Sequence, residues 1–248
     1  MKLLVDSGNT RLKWALLDRR QLRVGGVFAH AGVPFVAELR RDWAELARVE
    51  AVLVASVVAP AREAELDGFV RERFGAPAQF PRSPAAALGV RNAYAEPARL
   101  GIDRFLALVA AHAQQPRAQV LASVGTALTL DALGADGVHH GGLILAGPAL
   151  MREALLAGTA RVGTLDGQCV EMADNTADAV VSGSLCAAAG AIDRFRAAAA
   201  RRLGAPPALL LTGGGADEVA PLVDGAERAH DLVLRGLAVW ADAAAPAR

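Results

Sequence analysis

The earliest candidate site in the chain is a polar turn between two apolar runs. It consists of eight consecutive residues: Asp6, Ser7, Gly8, Asn9, Thr10, Arg11, Leu12 and Lys13. A glycine lets the backbone approach a phosphate closely, and small polar side chains beside it supply neutral hydrogen-bond donors. Lys13 could reach the same phosphates, and Asp6 could hold a hydrated Mg²⁺ ion through water. These residue types predict a phosphate site, although a β-hairpin turn that binds nothing has the same composition.

Two further glycine-containing turns occur in the second half of the chain. Residues 123–129 contain a Gly-Thr turn at the corresponding place in that half, so the hydroxyl of Thr126 would face the same phosphates. The glycine triplet 213–215 follows an apolar run, and its bare backbone would let a flat base or ribose lie against it. A simple strand-to-helix turn is the other interpretation of the triplet. Together these turns predict a nucleotide site formed by both halves.

A fourth segment combines the only tyrosine of the chain, Tyr94, with a Gly-x-Asp-Arg sequence at the predicted start of a helix. An aspartate near a helix N-terminus can serve simply as a cap, which is the structural interpretation of Asp103. A cap does not explain the neighbouring Gly101, Arg104 and Tyr94. Arg104 carries a fork of donors suited to an anionic substrate, and an ion pair with Glu96 is its alternative role.

The predicted secondary structure of the first half follows the order βββαβα. Turn formers between apolar runs, and one continuous apolar run, predict strands over 2–5, 12–17, 22–29 and 51–58. Helical spacing of apolar residues predicts helices over 34–48 and 62–74. Residues 81–97 are rich in Pro, Ala and Gly without a clear period, so we expect a loop that leads into a helix over 103–115.

The second half repeats this order of elements. Strands are predicted over 119–123, 127–133, 138–145 and 208–212. Helices are predicted from residue 148, over 176–202 and over 231–241. No residue-level repeat accompanies the pattern, so the duplication rests on the order of elements. The sequence therefore predicts an α/β fold of two similar domains, 1–116 and 117–248, with a ligand cleft between them.

Composition narrows the class of protein. Of the 248 residues, 53% are hydrophobic and 21% are charged, which excludes a disordered chain. Lys+Arg equal Asp+Glu, and this zero net charge argues against nucleic acid as a partner. The two cysteines lie far apart and have no metal-ligand spacing. No apolar run is long enough for a signal peptide or a membrane span, so we expect a soluble cytoplasmic protein with no membrane partner.

Taken together, the motifs resemble those of the type III pantothenate kinases. The motifs that carry the resemblance are Asp6-x-Gly-Asn-Thr-x-x-Lys13, Gly101-x-Asp-Arg104, Gly125-Thr-Ala-x-Thr129, Gly141-Gly-x-Ile-x-x-Gly147 and Asn175-Thr176. They occur in the order typical of that family and span most of the chain. The resemblance implies a two-domain actin-like (ribonuclease H-like) fold and ATP-dependent phosphorylation of pantothenate, the first step towards coenzyme A.

The same resemblance implies a role for individual residues. Residues 6–13 and Thr126 would bind ATP, with Asp6 also holding Mg²⁺, and Asp103 would be the general base. The residues that would line the pantothenate pocket are Tyr94, Gly101, Ile102, Asp103 and Arg104. Thr176 would contact pantothenate across the interface of a homodimer, which is the active unit of the family.

One position departs from the family pattern. Ser123 stands where the family usually has an aspartate that binds an activating potassium or ammonium ion. A serine is neutral, so we predict weak or absent dependence on a monovalent cation. Asp131 is a possible compensating carboxylate, but we expect it to be exposed or paired in a loop. His139 and His140 lie on opposite faces of a predicted strand, and neither is assigned a role.

Two other functions stay open at this point. The chain could be a non-catalytic regulator that uses a nucleotide cleft as a switch, although a scaffold has no need of Asp6, Lys13, Asp103 and Arg104. It could also be a related kinase that phosphorylates a different hydroxyl substrate. Formation of phosphopantothenate from pantothenate and ATP distinguishes a pantothenate kinase from the regulator. A panel of substrates distinguishes it from the related kinase.

Overall fold

A computed structural model describes residues 1–30, 32–159 and 166–243. The chain divides into two compact units, of which the first contains Met1–Gln115 with Leu232–Arg248 and the second contains Pro116–Asp231. The first change of unit lies beside the predicted boundary at residue 116. The last helix, however, belongs to the first unit, whereas the predicted division placed it in the second.

The first unit is built on a four-stranded sheet. Its strands are β1 (Lys2–Ser7), β2 (Arg11–Asp18), β3 (Gln21–Ala29) and β4 (Ala51–Ser56), arranged in the order β3-β2-β1-β4. β1 is antiparallel to β2 and parallel to β4. Gln79 adds a parallel bridge to Leu53 at the β4 edge. The helices are α1 (Phe35–Asp42), α2 (Pro60–Phe74) and α3 (Ile102–Gln114), and a short hairpin of β5 (Ala86–Ala87) and β6 (Val90–Arg91) precedes α3.

The second unit repeats this arrangement in a five-stranded sheet. Its strands are β7 (Gln119–Val124), β8 (Ala127–Leu133), β9 (His139–Ala146), β10 (Ala208–Thr212) and β11 (Ala226–Arg228), in the order β11-β10-β7-β8-β9. Its helices are α4 (Pro148–Gly158), α5 (Thr176–Leu203) and the short α6 (Ala216–Val219). β7 is antiparallel to β8 and parallel to β10, so β7 corresponds to β1 of the first unit. The duplication predicted from the order of elements is confirmed.

The last helix, α7 (Leu232–Ala243), packs on α3 in the first unit. Gly236 makes this contact possible, because a Cβ there would lie 2.1 Å from the carbonyl oxygen of Leu106. The Nζ of Lys2 donates a hydrogen bond of 2.6 Å to the carbonyl of Ala241. This close packing explains why the chain returns to the first unit after β11.

Alternation along the strands gives each sheet an apolar face. In the first unit, Leu3 and Val5 pack with Phe35 and Leu66 of α1 and α2. Asp6 lies between successive members of that alternation, so it projects from the opposite face of β1. In the second unit, the even-numbered residues of β7 and β8 pack against α5. Ser123 and Thr129 therefore project from the face opposite that core.

Most predicted elements are present, and the differences are local. The predicted helix over 34–48 ends at Asp42, because Trp43 leaves the helical conformation with φ −104° and ψ 14°, and its buried ring packs against Phe69. The predicted loop over 81–97 contains the hairpin of β5 and β6 and a 3₁₀ turn at Pro97–Arg99. β11 was not predicted, because three residues, none of them fully buried, give too short a pattern.

Candidate active site

The first polar turn joins β1 to β2. The amide of Gly8 donates a hydrogen bond of 3.1 Å to the carbonyl of Arg11, which closes the turn. Asp6 and Lys13 are directly opposite each other in the antiparallel pairing, so both side chains lie on one face of the sheet. The predicted carboxylate and lysine are therefore neighbours beside the turn.

The residues of this turn differ in their exposure to solvent. Asn9, Thr10 and Arg11 are exposed, and Asp6, Gly8 and Lys13 are half-buried. Ser7 and Leu12 are buried and project into the face that packs against α1 and α2. A ligand at the turn would thus meet Ser7 and Leu12 through their backbone, because their side chains belong to the core.

Three hydrogen bonds from neighbouring segments hold the turn. The amide of Val57 donates to the carbonyl of Ser7 at 3.2 Å, and the amide of His30 donates to the carbonyl of Thr10 at 3.1 Å. The Nε2 of His30 also lies 2.7 Å from the carbonyl oxygen of Gly8. The motifs gave no reason to select His30, and its position directly after β3 was the signal available in the sequence.

The segment before α3 is organised by one asparagine that sequence reasoning missed. The Nδ2 of Asn92 donates to the carbonyls of Pro84 and Pro97 at 3.2 and 3.0 Å. Its Oδ1 accepts a hydrogen bond of 3.0 Å from the amide of Tyr94. This last contact is an Asx turn, and an asparagine two residues before Tyr94 was its sequence signal. Asn92 therefore fixes the path of the chain on both sides of Tyr94.

Tyr94 and Arg104 form a contact pair. The Nη1 of Arg104 donates a hydrogen bond of 3.0 Å to the phenol oxygen of Tyr94, and the guanidinium lies 5.9 Å from the centre of the ring. Arg104 is only 6% exposed. Glu96 instead forms an ion pair of 2.8 Å with Arg99. The alternative in which Arg104 pairs with Glu96 is therefore wrong.

Asp103 lies in the first turn of α3. The N-cap position of this helix is Gly101, so Asp103 is not the N-cap residue, although it lies in the first turn. Its Oδ1 accepts a hydrogen bond of 2.8 Å from the amide of Arg104. A Cβ at position 101 would lie 2.4 Å from that oxygen, so a glycine leaves room for the carboxylate. The positive end of the helix favours a charged carboxylate here.

Val57, which follows β4, lies beside both parts of the candidate site. Its amide binds the carbonyl of Ser7, and its Cγ1 would lie 3.8 Å from a Cβ at Gly101. The phosphate-type turn and the beginning of α3 are thus neighbours within the first unit. The fold brings together two motifs that are about 90 residues apart in the chain.

The turn after β7 has the corresponding position in the second unit. It is tighter, because the amide of Gly125 donates to the carbonyl of Ala127 at 2.9 Å. Thr126 is exposed, and its carbonyl accepts a hydrogen bond of 2.9 Å from the amide of Gly147. The predicted ATP-contacting threonine is therefore on the surface of a well-fixed turn.

Glycines surround this second turn. A Cβ at Gly147 would lie 2.0 Å from the carbonyl oxygen of Gly125, and one at Gly213 would lie 2.3 Å from that of Val124. Gly213 has a φ of +95°, and the amide of Gly215 donates to the carbonyl of Val124 at 3.0 Å. The triplet 213–215 joins β10 to α6, as the strand-to-helix interpretation predicts. Its contact with a base or ribose stays a prediction.

Ser123 lies in a row of hydroxyl side chains across the sheet. Its register partners are Thr129 on β8 and Thr212 on β10, so neither of these two neighbours is a carboxylate. Asp131 is 3% exposed, and its Oδ1 lies 2.9 Å from the Nε2 of the buried His139. The prediction that Asp131 is exposed or paired in a loop is wrong, because it pairs with a neighbouring strand inside the protein.

Thr176 begins α5 and lines a cavity of about 590 Å³. The cavity is bounded by α4 and the start of α5, and Met151, Leu155 and Gly183 contribute to its lining. Asn175 caps the helix by accepting a hydrogen bond of 3.0 Å from the amide of Asp178. Hydrogen bonds from the amide of Gln168 and from Asn175 lower the pKa of Asp178 below its ordinary value.

Two kinds of feature are absent from the described ranges. No helix there is long and apolar enough to cross a membrane. Among the same residues, no three His, Cys, Asp or Glu side chains lie together as a metal-ion site.

Solved structures confirm the fold class. The chain is similar to a conserved Baf family protein from Campylobacter jejuni, with a TM-score of 0.62, 19% identity and coverage of 97% of this chain and 98% of that one. It also resembles the acetate kinase of Porphyromonas gingivalis, with a TM-score of 0.52, 12% identity and coverage of 97% and 98%. These likenesses support the two-domain actin-like α/β fold.

Sequence comparisons identify the family. The family model described as type III pantothenate kinase matches residues 2–198. Type III pantothenate kinases of Xanthomonas oryzae pv. oryzae and Xanthomonas euvesicatoria pv. vesicatoria are each 44% identical, over 242 and 245 residues and 98% of both chains. The chain therefore belongs to the type III pantothenate kinase family.

Proposed function

We propose that this protein transfers the terminal phosphoryl group of ATP to the hydroxyl of pantothenate and forms 4′-phosphopantothenate, the first step of coenzyme A synthesis. The observation that carries the proposal is the meeting of the β1–β2 turn and the start of α3 at Val57. This juxtaposition supports a nucleotide phosphate and an acceptor hydroxyl being held close together. Because the reaction uses intracellular ATP, a cytoplasmic location is part of the proposal.

Asp103 is the proposed general base. Phosphoryl transfer depends on positioning and charge stabilisation, and an aspartate at the attacking hydroxyl accepts its proton as the new bond forms. The amide of Arg104 donates a hydrogen bond to one carboxylate oxygen of Asp103, which orients the group. Arg104, held by Tyr94, is the proposed partner of the pantothenate carboxylate, with Gly101 and Ile102 completing the pocket.

The turn residues are the proposed ATP ligands. Asn9, Thr10 and Arg11 offer exposed donors, while Lys13 adds a positive charge beside Asp6. Asp6 fits a hydrated Mg²⁺ ion, because it is a half-buried carboxylate at the end of a strand next to the turn. The ion would neutralise charge on the phosphates. Thr126 and the glycines 213–215 are the proposed ligands from the second unit.

The side chains around Ser123 do not provide the charged ligand of the monovalent-cation site that the family pattern implies. Ser123, Thr129 and Thr212 offer neutral oxygens, and the carboxylate of Asp131 is engaged by His139. Cation affinity in oxygen sites increases with the number of ligand charges. We therefore propose that potassium or ammonium has little effect on this enzyme.

A homodimer is the proposed active unit. Apolar side chains are exposed on the edge strand β9 and on α4, where Leu143, Ile144 and Leu155 are 48%, 64% and 44% exposed. Leu155 and Thr176 both line the cavity at the start of α5. We propose that a second copy covers this surface and that Thr176 contacts the pantothenate bound by that copy. Sedimentation at working enzyme concentrations tests this, and a fully active monomer contradicts it.

Replacement of Asp103 by Asn tests the central proposal. Asn keeps the shape and the Oδ1 acceptor but cannot take the proton, so we expect formation of phosphopantothenate to fall by roughly 1000-fold. Asp193→Asn, at an exposed position of α5, is the matched control and should have wild-type turnover. Circular dichroism checks that both variants fold. Near-normal turnover in Asp103→Asn removes Asp103 from the mechanism.

The wild-type protein separates the remaining alternatives. A kinase for pantothenate forms product from pantothenate and ATP, whereas a non-catalytic regulator binds ATP without product. A related kinase phosphorylates another hydroxyl compound faster than pantothenate in a substrate panel.

A further inference from the structure

A buried histidine outside the family motifs contacts the proposed phosphate turn. His30 follows directly after β3 and is 5% exposed. Its ring packs edge-on against Phe35, with 5.5 Å between the ring centres and an angle of 75°. The Phe35 ring is itself in contact with Phe28 of β3. The position of the imidazole is therefore fixed by the core of the first unit.

His30 binds the turn at two points. Its backbone amide donates to the carbonyl of Thr10 at 3.1 Å, which continues the β2–β3 pairing beyond the ends of the strands. Its Nε2 lies 2.7 Å from the carbonyl oxygen of Gly8. A carbonyl oxygen only accepts hydrogen bonds, so Nε2 must carry the proton and donate. This hydrogen bond therefore requires an imidazole with a proton on Nε2, and it holds the Gly8 carbonyl in one orientation.

The orientation of this carbonyl determines where the next amide points. In a trans peptide the C=O of Gly8 and the N–H of Asn9 point in opposite directions. With the carbonyl held by His30, the amide of Asn9 faces away from the core, on the side where Asn9 and Thr10 are exposed. Because glycine permits many backbone conformations, an unanchored peptide here could rotate and present its carbonyl oxygen instead.

We propose that His30 is a positioning residue for ATP: it holds the Gly8–Asn9 peptide so that the Asn9 amide donates to a nucleotide phosphate. The opposite orientation would aim a carbonyl lone pair at an anion and would repel it. This inference rests on the proposed function, because it assigns phosphate binding to the same turn. It concerns the nucleotide and leaves binding of the acceptor substrate unchanged.

Three substitutions at this position separate positioning from packing. His30→Gln places an amide nitrogen near the Nε2 position, His30→Asn places one near the Nδ1 position, and His30→Phe keeps the ring without a donor. We expect His30→Gln to retain the KM for ATP within about threefold, and His30→Asn and His30→Phe to raise it about tenfold. The KM for pantothenate should stay at the wild-type value in all three. His112→Phe, on α3, controls for replacing a histidine ring.

Calorimetry gives a second readout that needs no phosphoryl transfer, because it measures directly the binding of an ATP analogue by the full-length protein. It should show the same order of affinities, with wild type and His30→Gln above His30→Asn and His30→Phe. The inference is overturned if His30→Gln binds as weakly as His30→Asn, or if both KM values rise together. If His30→Phe does not fold, the Gln and Asn pair decides alone. Absence of turnover in the wild type would refute the proposed function, while the binding order would still test His30.

Discussion

The turns after β1 and β7 occupy the same place in a duplicated topology, but they carry different chemistry. Asp6 and Ser123 are at corresponding positions, each two residues before the glycine of its turn. Asp6 is paired across the sheet with Lys13, whereas Ser123 is paired with Thr129 and Thr212. The first turn therefore has charges of both signs, and the second has a row of hydroxyls.

The two turns are also held in different ways. The first is a wider loop whose carbonyls are bound from outside by Val57 and His30. The second is tight, and backbone from Gly147 and Gly213 approaches it so closely that a Cβ would clash. The duplicated fold thus determines where a turn lies, while the local sequence determines whether it binds by charge or by backbone shape.

The largest effect is expected from the charged turn. Asp6→Asn removes the carboxylate proposed for Mg²⁺ and should lower kcat/KM roughly 100-fold or more, since charge stabilisation is a major part of such catalysis. Ser123→Ala, the matched change in the second turn, should alter kcat/KM less than about threefold, because no charge is lost. Steady-state assays of both variants measure this, with thermal unfolding as the control for folding. Equal losses would contradict the proposed difference between the turns.

The second-largest effect is expected on the free energy of unfolding, at the turn after β7. Gly213→Ala places a Cβ 2.3 Å from a backbone oxygen at a φ of +95°, and we expect the free energy of unfolding to fall by about 2 kcal/mol or more. Gly8→Ala places its Cβ 3.3 Å from the Arg11 carbonyl, and we expect a loss below about 1 kcal/mol. Urea titration measures both.

Gly68→Ala is the control for these two substitutions. Position 68 lies inside α2, and a methyl group added there would have no neighbouring atom within 4 Å, so alanine should stabilise the protein by about 0.5 kcal/mol. A smaller loss at Gly213 than at Gly8 would show that the second turn is not the more tightly packed one.

Much of this contrast could be predicted from the sequence, because it depends on local patterns. Apolar runs and turn formers located β1, β2, β7 and β8, and the repeated order of elements predicted the duplicated sheets. The difference between Asp6 and Ser123 could likewise be predicted, because it depends only on the residue types at these two positions. Residue types at short spacing were sufficient for these conclusions.

Long-range contacts could not be predicted in the same way. His30 reaches Gly8 across 22 residues, and Asp131 reaches His139 between neighbouring strands through a shift in their register. The return of α7 to the first unit depends on Gly236 approaching Leu106, which no periodicity indicates. Such contacts depend on how elements pack, and that is decided by three-dimensional complementarity.

A smaller effect, on activation by potassium, is expected when a carboxylate is added to the row of hydroxyl side chains around Ser123. The wild-type enzyme should have the same rate in potassium chloride as in tetramethylammonium chloride, because Ser123 contributes no charge. Ser123→Asp recreates the carboxylate and should produce a potassium activation of about threefold to tenfold, since ligand charge raises cation affinity. Ser182→Asp, away from the row on α5, should have no such effect. Strong activation of the wild type by potassium would contradict the proposal for Ser123.

The same contrast extends to two carboxylates with a lowered pKa. In the first unit, hydrogen bonds of 3.0 and 2.6 Å from Arg82 lower the pKa of Glu63 below 4.5 and tie α2 to the start of the segment that carries Tyr94. In the second unit, a backbone amide and Asn175 lower the pKa of Asp178 without a cation. One carboxylate is stabilised by charge and the other by neutral donors.

The smallest predicted effect is the pH dependence of the first of these pairs. Since folding lowers the pKa of Glu63, its stabilisation is complete above the unfolded pKa and is lost as the pH falls through the folded pKa. Glu63→Gln should therefore lower the free energy of unfolding by about 0.5 kcal/mol at pH 7, and the difference should shrink as the pH falls below the ordinary pKa of a glutamate. Urea titrations across this range of pH measure the difference, and Glu65→Gln, whose side chain is 42% exposed against 17% for Glu63, should change little. Because an ion pair is screened by salt and hydrogen bonds from neutral donors are screened less, the effect of Glu63→Gln should also diminish at high salt, whereas that of Asp178→Asn should persist.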